Sequence, residues 1–311
     1  MARCLVTGGA GFIGSHLVTA LVEQGNEVHV VDDLSTGKRE NLAHLSSGYK
    51  LFHGSILDRS LLAEAATGAE YVFHLAAMVS VPKSVEQPAL CHDLCSTGSL
   101  NVLLAAIGAK AKRLVYSGTS AAYGDSAACP IAESAPVDPL SPYAAGKLSG
   151  ELYCQTFARL GQIETVRLRY FNVFGPRQDP KSPYSGVISL FTDAMLQGRR
   201  PNILGDGLQS RDFVYVANVV DANLRAARTP GISGRLYNIG AGGRLTLLDL
   251  VDSLNRQLGT NLEATFGPAR AGDVRHSQAD ISAARKDLGY DPQITFDEGL
   301  AHCLAYYRSA A

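Results

Sequence analysis

The sequence predicts an α/β fold: a doubly wound parallel sheet of the Rossmann type, followed by a smaller C-terminal α/β domain. Short β-branched or apolar runs alternate with segments of helical periodicity along the first half of the 311-residue chain. These runs show little internal polar alternation, which is typical of parallel strands covered on both faces. The repeated unit is therefore βαβ, and its repetition predicts the doubly wound sheet.

The individual elements follow from the same patterns. The predicted strands are residues 4–6, 28–31, 71–75, 113–116 and 165–168. The predicted helices between them are residues 13–24, 60–66, 97–106 and 143–160. Together they define a first domain over residues 1–175.

A second, smaller domain is predicted over residues 176–311. It opens with an irregular, proline-containing stretch at 176–186, which has the character of a loop over a site. Its predicted helices are residues 187–197, 247–257, 281–288 and 296–307, and its short strand-like pieces are 213–215 and 236–239. We expect segments near 213–239 to return to the N-terminal sheet.

Composition and charge exclude several classes of partner. Apolar residues make up 46% of the chain, charged residues 18%, and the formal net charge is -1. No run of like charge marks a surface for nucleic acid or for a membrane. No charged leader precedes the first strand, and no apolar run reaches the roughly 18 residues of a membrane span. We therefore expect a cytoplasmic protein.

The six cysteines do not form a metal-binding pattern. They are Cys4, Cys91, Cys95, Cys129, Cys154 and Cys303. Only Cys91 and Cys95 lie close together, and no second pair at metal-ligand spacing completes a site. We interpret all six as reduced thiols and expect no metal.

A glycine turn between the first strand and the first helix predicts a dinucleotide site. Gly8, Gly11 and Gly14 occupy the turn. Such a turn lets the backbone approach a pyrophosphate, whose charge is held by the helix N-terminus. Three glycines alone are a weak signal, because a glycine turn also joins elements with no ligand.

The acidic end of the second strand strengthens this interpretation. Asp32 follows Gly14 by 18 residues, close to the spacing of about 20 expected for a carboxylate on the adenosine ribose. A carboxylate there repels a 2′-phosphate, so the sequence predicts NAD as the cofactor. Lys38 and Arg39 lie near enough in sequence to leave NADP open, although a solvated loop explains them more simply.

Tyr143 and Lys147 lie at the start of a predicted helix, directly after Ser141-Pro142. Side chains at i and i+4 share one helix face, so the ammonium can lower the pKa of the phenol and let the phenolate act as a base. The pattern is common by chance. A strand ending at 117–120 precedes it, and the carboxyl ends of strands are where ligands bind in such sheets.

The chain resembles the extended short-chain dehydrogenase/reductase family, and within it the UDP-sugar 4-epimerases. The resemblance covers nearly the whole length and rests on ordered motifs. They are residues 7–14, Tyr123-Gly124-Asp125, Ser141-Pro142-Tyr143 with Lys147, and residues 169–175, 210–213, 237–240 and 272–277. It implies an NAD-dependent isomerase of UDP-sugars.

The resemblance implies roles for individual residues. Thr119, Tyr143 and Lys147 correspond to the catalytic residues, and Ser120 is a substitute for Thr119 on the sugar. The cofactor-binding positions it implies are Gly8, Gly11, Phe12, Ile13, Gly14, Asp32, Asp33, Ser35, Thr36, Gly37, Ser55, Ile56, Leu75, Ala76, Ala77, Cys95, Ser117, Tyr143, Lys147 and Tyr170. A plain role as hydroxyls that cap a strand end is the alternative for Ser117, Thr119 and Ser120; we favour it for Ser117 and not for Thr119.

The substrate-binding positions are implied in the same way. They are Val81, Thr119, Ser120, Tyr143, Asn172, Val187, Asn202, Arg211, Arg270, Asp273 and Ser277. Arg211 and Arg270 resemble the arginines that clamp the diphosphate, and Asp273 resembles the carboxylate on the uridine ribose. Simple surface ion pairs of Arg211 with Asp212, and of Arg270 with Asp273, are the alternative.

The chain departs from the family pattern at three positions. Ser55 stands where an aspartate usually meets the adenine, Cys95 where an asparagine is usual near the nicotinamide, and Val79 where some members have a polar residue. These changes bear on the cofactor contacts. They leave Tyr143 and Lys147 intact.

The family resemblance also lets us rank the candidate reactions and the candidate sugar substrates. Related dehydratases and decarboxylases carry an acidic residue after the active-site threonine, whereas residues 120–122 here are Ser-Ala-Ala. This favours epimerisation through a 4-keto sugar. Ser277 stands where glucose-restricted epimerases carry a tyrosine, so we rank UDP-GlcNAc/UDP-GalNAc first, UDP-glucose/UDP-galactose second and a UDP-uronic acid third.

Two other classes of function stay open at this point: a net oxidoreductase, and a non-catalytic NAD-binding regulator on the same scaffold. The resemblance further implies a homodimer through the helices near 97–106 and 143–160, although their apolar residues could equally face the core. The motifs around 178–180 and 273–280 look most like epimerases of surface-polysaccharide pathways.

Overall fold

The computed structural model describes residues 1–126, 128–179, 186–269 and 274–310. Its centre is a seven-stranded parallel sheet, which confirms the predicted fold class. The strands, in chain order, are β1 (Arg3–Thr7), β2 (Glu27–Asp32), β3 (Tyr49–His53), β4 (Tyr71–His74), β5 (Arg113–Thr119), β6 (Glu164–Tyr170), β7 (Asn172–Phe174), β8 (Asn202–Leu204), β9 (Ser210–Arg211), β10 (Phe213–Tyr215), β11 (Arg235–Ile239), β12 (Leu245–Thr246) and β13 (Thr265–Gly267).

Helices cover both faces of the sheet. They are α1 (Phe12–Glu23), α2 (Arg59–Ala66), α3 (Val81–Glu86), α4 (Pro88–His92), α5 (Gly98–Gly108), α6 (Pro142–Arg159), α7 (Val187–Leu196), α8 (Val216–Arg228), α9 (Leu247–Leu258), α10 (Ser282–Leu288) and α11 (Phe296–Ala310). Helices α1, α8 and α10 pack on one face, and α2, α5 and α6 pack on the other, each over its own apolar core. The inner strands of the sheet, such as β1, β4 and β5, are buried on both sides, which explains their continuous apolar runs.

The strand order is β11-β6-β5-β4-β1-β2-β3. The chain therefore runs from β1 outward through β2 and β3, then returns to β4 and continues in the opposite direction. This reversal creates a crevice between the carboxyl ends of β1 and β4, where ligands bind in open sheets of this kind. The fold thus places Thr7 and His74, the last residues of these two strands, at the floor of a predicted site.

The C-terminal part of the chain builds a separate small core. Helices α7, α9 and α11 pack together around residues such as Phe191, Leu250 and Leu304. Three short strand pairs accompany them: β7 with β10, β9 with β12, and β8 with β13.

The segments near 213–239 divide between the two parts of the fold. Strand β11 pairs with β6 and becomes the edge of the large sheet, and α8 packs against α1. Strand β10 pairs instead with β7. It lies outside the large sheet because the chain leaves that sheet after Tyr170 and continues as β7.

The structure contains a long, apolar helical stretch that the search for continuous apolar runs in the sequence did not identify. Residues Pro88–Gly108 form 21 consecutive helical residues whose length and hydropathy would suffice for a membrane span. Polar residues interrupt the apolar runs, which is why the sequence pattern showed no such segment. In the fold the second half of this stretch, α5, packs on the sheet, with Val102, Leu103 and Ala106 fully buried. Its apolar character is that of a core helix.

Candidate functional site

The glycine turn is as tight as its sequence requires. Gly8 has φ +72°, and a Cβ on it would lie 2.7 Å from the backbone nitrogen of Ala76 after β4. A Cβ on Gly14 would lie 2.1 Å from the carbonyl oxygen of Gly8. Gly11 is the N-cap of α1 and no side chain caps this end. The first-turn N–H groups of Phe12 and Ile13 therefore suit an anion such as a pyrophosphate.

Asp32 anchors the loop beside this turn. Its carboxylate oxygens accept hydrogen bonds from the backbone N–H groups of Ala10 and Leu34, both at 2.9 Å. A Cβ on Gly37 would lie 2.7 Å from one of these oxygens, so the loop after β2 lies directly on the carboxylate. Burial raises the pKa of Asp32.

Asp33, Ser35 and Thr36 are the exposed predicted cofactor residues of this loop. Asp33 accepts hydrogen bonds from the backbone N–H of Ser35 at 2.9 Å and from its hydroxyl at 2.6 Å. Lys38, predicted to be a solvated loop residue, forms a 2.6 Å ion pair with Asp179. That pair joins the loop to the segment after β7.

Five further predicted cofactor residues follow the carboxyl ends of β3 and β4. Ser55 follows β3, and its hydroxyl accepts a 3.2 Å hydrogen bond from the N–H of Leu57. Ile56 is buried against α5, where a Cβ on Gly98 would lie 2.5 Å from its Cδ1. Leu75, Ala76 and Ala77 follow β4 and are all partly buried.

Tyr143 and Lys147 lie in the first turns of α6, above the end of β5. Ser141 caps this helix by accepting the N–H of Ala144 at 3.2 Å, and Pro142 fits its first turn. Thr119, the last residue of β5, lies close enough to Tyr143 for its hydroxyl to act on the pKa of the phenol. The structure therefore brings the three predicted catalytic residues together.

Burial acts against the charged form of both members of the Tyr143–Lys147 pair. It raises the pKa of Tyr143 to about 12, while the contact with Thr119 acts in the lowering direction. It lowers the pKa of Lys147 below its ordinary value. In the protein alone, Tyr143 is therefore a phenol at neutral pH.

Cys95 lies behind Tyr143 in a cluster of sulfur-containing side chains. Cys91, Cys95 and Met78 form a small buried cluster against which the Tyr143 side chain packs. Cys95 belongs to a π-helical turn over Asp93–Thr97 between α4 and α5. A Cβ on Gly146 would lie 2.8 Å from the Cβ of Cys95, so this turn and α6 are in close contact.

Ser117 and Tyr170 form a hydrogen-bond network of their own. The Ser117 hydroxyl lies 3.0 Å from the Tyr170 hydroxyl, which also contacts the side chain of Asn223 on α8. Both predicted cofactor residues are more than nine-tenths buried. Their hydroxyls link β5, β6 and α8 beneath the site.

The predicted substrate residues Arg211 and Ser277 are brought together by backbone pairing. Ser277 donates its N–H to the carbonyl of Ser210 at 3.0 Å, and the Ser210 hydroxyl lies 2.8 Å from Nδ1 of His276. Ser277 is 8% exposed. Its small side chain is therefore buried, and its backbone is paired with Ser210, the residue before Arg211.

Asp212 takes a role that differs from the surface ion pair considered for it. Its carboxylate is fully buried and accepts backbone hydrogen bonds from Ala241 at 2.7 Å, Gly242 at 3.0 Å and Ala279 at 3.0 Å. Burial raises the pKa of Asp212 to about 6. This carboxylate organises three segments of backbone while Arg211 stands half-buried beside it.

The other substrate predictions fall at several places. Asn172 begins β7 and Ser120 begins the 3₁₀ turn Ser120–Tyr123, both after strands of the large sheet. Val81 and Val187 are the first residues of α3 and α7, and Asn202 is an exposed residue at the start of β8. Arg270 and Asp273 lie outside the described residues.

Sequence reasoning missed two buried residues below the Tyr143–Lys147 pair. Tyr116 on β5 has its ring centroid 4.5 Å from the Lys147 ammonium. His74 on β4 lies 5.6 Å from that ring, centroid to centroid. Each was recognisable only as part of an apolar strand, because nothing in a single sequence shows which strand residue lies below a helix.

Comparison with known proteins agrees with this geometry. The model of the NAD dependent epimerase/dehydratase family matches residues 4–240. The UDP-glucose 4-epimerase of Mycolicibacterium smegmatis is 39% identical over 311 residues, covering 99% of each chain.

Solved structures give the same result. The UDP-N-acetylglucosamine 4-epimerase from Methanobrevibacter ruminantium M1, in complex with UDP-N-acetylmuramic acid, superposes with a TM-score of 0.95 at 38% identity, covering 100% of this chain and 99% of that one. The UDP-glucose 4-epimerase from Thermotoga maritima, with UDP-glucose, superposes with a TM-score of 0.94 at 41% identity and covers 99% of each chain.

The glycine turn yields a test of the cofactor site. Gly14→Ala places a methyl group against the carbonyl of Gly8, so we expect at least a tenfold loss of NAD affinity in a folded protein. Calorimetric titration with NAD measures it. Gly108→Ala is the matched control, because a Cβ there meets nothing within 4 Å. Unchanged NAD affinity in folded G14A would contradict the assignment.

Proposed function

Because the chain belongs to the NAD-dependent epimerase/dehydratase family, we propose that this UDP-sugar 4-epimerase interconverts UDP-GlcNAc and UDP-GalNAc. The observation that carries the choice of sugar is the small, buried Ser277 next to Arg211. A serine at this position leaves room for a 2-acetamido group. The 38% identical neighbour named for UDP-N-acetylglucosamine supports the same choice.

UDP-glucose and UDP-galactose form the second candidate pair. The M. smegmatis relative and the T. maritima structure both bear the name UDP-glucose 4-epimerase, at 39% and 41% identity. A pocket with room for an acetamido group also admits a hydroxyl. We therefore propose that both pairs of sugars are turned over, with the acetamido pair preferred.

In the proposed mechanism Tyr143 takes the proton from the sugar 4-hydroxyl, and Thr119 holds that oxygen in place. The glycine turn and Asp32 would hold NAD, which would supply a reversible hydride acceptor for C4 of the sugar. Lys147 contributes positive charge that favours the phenolate. The 4-keto sugar then turns over in the pocket, and Tyr143 returns the proton to the oxygen on the other face.

The residues around Thr119 favour epimerisation over elimination. The 3₁₀ turn that follows it contains Ser120, Ala121, Ala122 and Tyr123, and no carboxylate stands among them. Loss of water from the sugar needs an additional acid or base near C5 and C6, which this turn does not provide. Arg211 is proposed to bind the diphosphate, as a planar cation suited to paired phosphate oxygens.

The role of Tyr143 has a direct test. Tyr143→Phe removes the proton acceptor while keeping the ring, so we expect the turnover number to fall roughly a hundredfold to ten-thousandfold, with NAD still bound. Coupled assays of UDP-GalNAc formation measure this. Undiminished activity would exclude Tyr143 as the base, and an inactive wild-type protein would favour the regulator. Stoichiometric NADH formation from UDP-GlcNAc would favour an oxidoreductase.

Sugar size can be tested at Ser277. Ser277→Tyr fills the proposed acetamido space, so we expect a roughly tenfold to hundredfold loss of UDP-GlcNAc turnover with UDP-glucose turnover retained. Ser277→Ala is the matched control and keeps both activities. If S277Y lost both activities equally, or neither, the proposal that residue 277 limits the size of the sugar 2-substituent would be wrong.

We also propose a homodimer formed through α5 and α6. Leu152 is 51% exposed, Tyr153 39% and Leu160 64%, all on or just after the outer face of α6. Three exposed apolar side chains on or just after one helix support an interaction surface there. Leu152→Glu should shift the mass measured by light scattering from dimer to monomer, whereas Leu204→Glu on β8, also exposed, should not. A monomeric wild-type protein would contradict the proposal.

A further inference from the structure

Tyr116 makes two contacts with Lys147 from below. Its ring centroid lies 4.5 Å from the lysine Nζ, and its hydroxyl donates a 2.8 Å hydrogen bond to the lysine carbonyl oxygen. Tyr116 is 0% exposed. One side chain therefore holds both the charged end of Lys147 and the helical backbone that carries it.

A neutral hydrogen-bonded chain lies beyond Tyr116. Ser99 donates its hydroxyl proton to the carbonyl of Cys95 at 2.6 Å, so its oxygen accepts from Nε2 of His74 at 2.9 Å. Nδ1 of His74 then accepts from the Thr7 hydroxyl at 2.7 Å. Burial lowers the pKa of His74 well below its ordinary value. The imidazole is therefore neutral and adds no second cation below Lys147.

The carboxylate nearest to Lys147 along α6 is already engaged. Glu151, one helical turn beyond Lys147, receives two hydrogen bonds from Arg169, at 2.9 and 2.7 Å. The other titratable groups that face Tyr143 and Lys147 are His74, Cys91, Cys95, Tyr116 and Cys154. Burial raises the pKa of Cys91, Cys154 and Tyr116 above their ordinary values, so these three groups are not anions at neutral pH.

This arrangement holds the Lys147 ammonium in place and does not neutralise its charge. A carboxylate under Lys147 would fix the ammonium but cancel the field that a neighbouring phenolate needs. An aromatic face attracts the ammonium through its quadrupole and leaves the net charge at +1. The choice of a ring at position 116 therefore keeps the full positive charge available to Tyr143.

We propose that Tyr116 is a positioning residue for the epimerase reaction, whose ring holds the Lys147 ammonium in place without neutralising it. The proposal rests on the proposed roles of Tyr143 and Lys147. Weakening the ring's hold displaces the ammonium, which makes the phenolate harder to form. The acidic limb of the pH profile of kcat/KM must then move to higher pH, because that limb reports the essential base of the free enzyme.

The experiment varies the charge of the ring face and not its shape. Tyr116→Phe is the reference, because it keeps the ring and removes only the hydroxyl. Mono-, di- and trifluorophenylalanine at position 116 then weaken the ring quadrupole stepwise. We expect the acidic limb of the NAD-loaded enzyme to rise stepwise, by on the order of one pH unit over the series, and turnover below that limb to fall about tenfold.

The matched control is the same series at position 290. Tyr290 is also 0% exposed and donates a 2.8 Å hydrogen bond to a backbone carbonyl, that of Gly240, but its ring lies on the opposite core near α10. The acidic limb of the pH profile of kcat/KM should not move in the series at position 290. Ultraviolet difference titration against Y143F gives the pKa of Tyr143 without turnover, so the result does not depend on catalytic rate.

The outcomes distinguish this inference from the function on which it rests. An active Y143F enzyme overturns the proposed base and the inference together. An inactive Y143F enzyme with an unmoved limb across the 116 series overturns the inference alone. Equal movement in the 116 and 290 series also overturns it, since the effect would then be a general response to altered packing. A stepwise shift at 116 alone supports it.

Discussion

A buried ion pair between α6 and β6 fixes the geometry on which the site depends. Glu151 and Arg169 share two hydrogen bonds and are each at most 3% exposed. Removing two charges from water is costly, so such a pair specifies orientation more than it adds stability. Glu151 follows Lys147 by one helical turn and Tyr143 by two. The position of the helix on the sheet therefore sets the position of both proposed catalytic side chains.

The sequence predicted those elements whose signal lies within a few neighbouring residues. The apolar runs identified strands of the large sheet, and the glycine turn identified the start of α1, because both signals lie within a few residues. Strand β3 and helix α8 were missed. Residues 49–53 carry polar side chains at an edge of the sheet, where burial is incomplete, and the buried face of 216–228 includes Asn218 and Asn223 among its apolar residues.

The contacts that complete the site could not be predicted, because they join residues far apart in sequence. Lys38 meets Asp179 across 141 positions, and Ser277 pairs with Ser210, the residue before Arg211. The buried role of Asp212 likewise depends on backbone segments near 241 and 279. Sequence adjacency suggested an ion pair with Arg211, whereas three converging N–H groups give its carboxylate a different function.

The electrostatics of the site show what Tyr143 needs in order to act as a base. Burial opposes the phenolate of Tyr143 and the ammonium of Lys147 alike, so Tyr143 stays a phenol until positive charge is brought beside it. In a buried site a single added charge acts strongly on such a group. Burial keeps the nearby His74 imidazole neutral, so it supplies no such charge itself. The positive charge that favours the phenolate is therefore left to Lys147 and to the groups that arrive with cofactor and substrate.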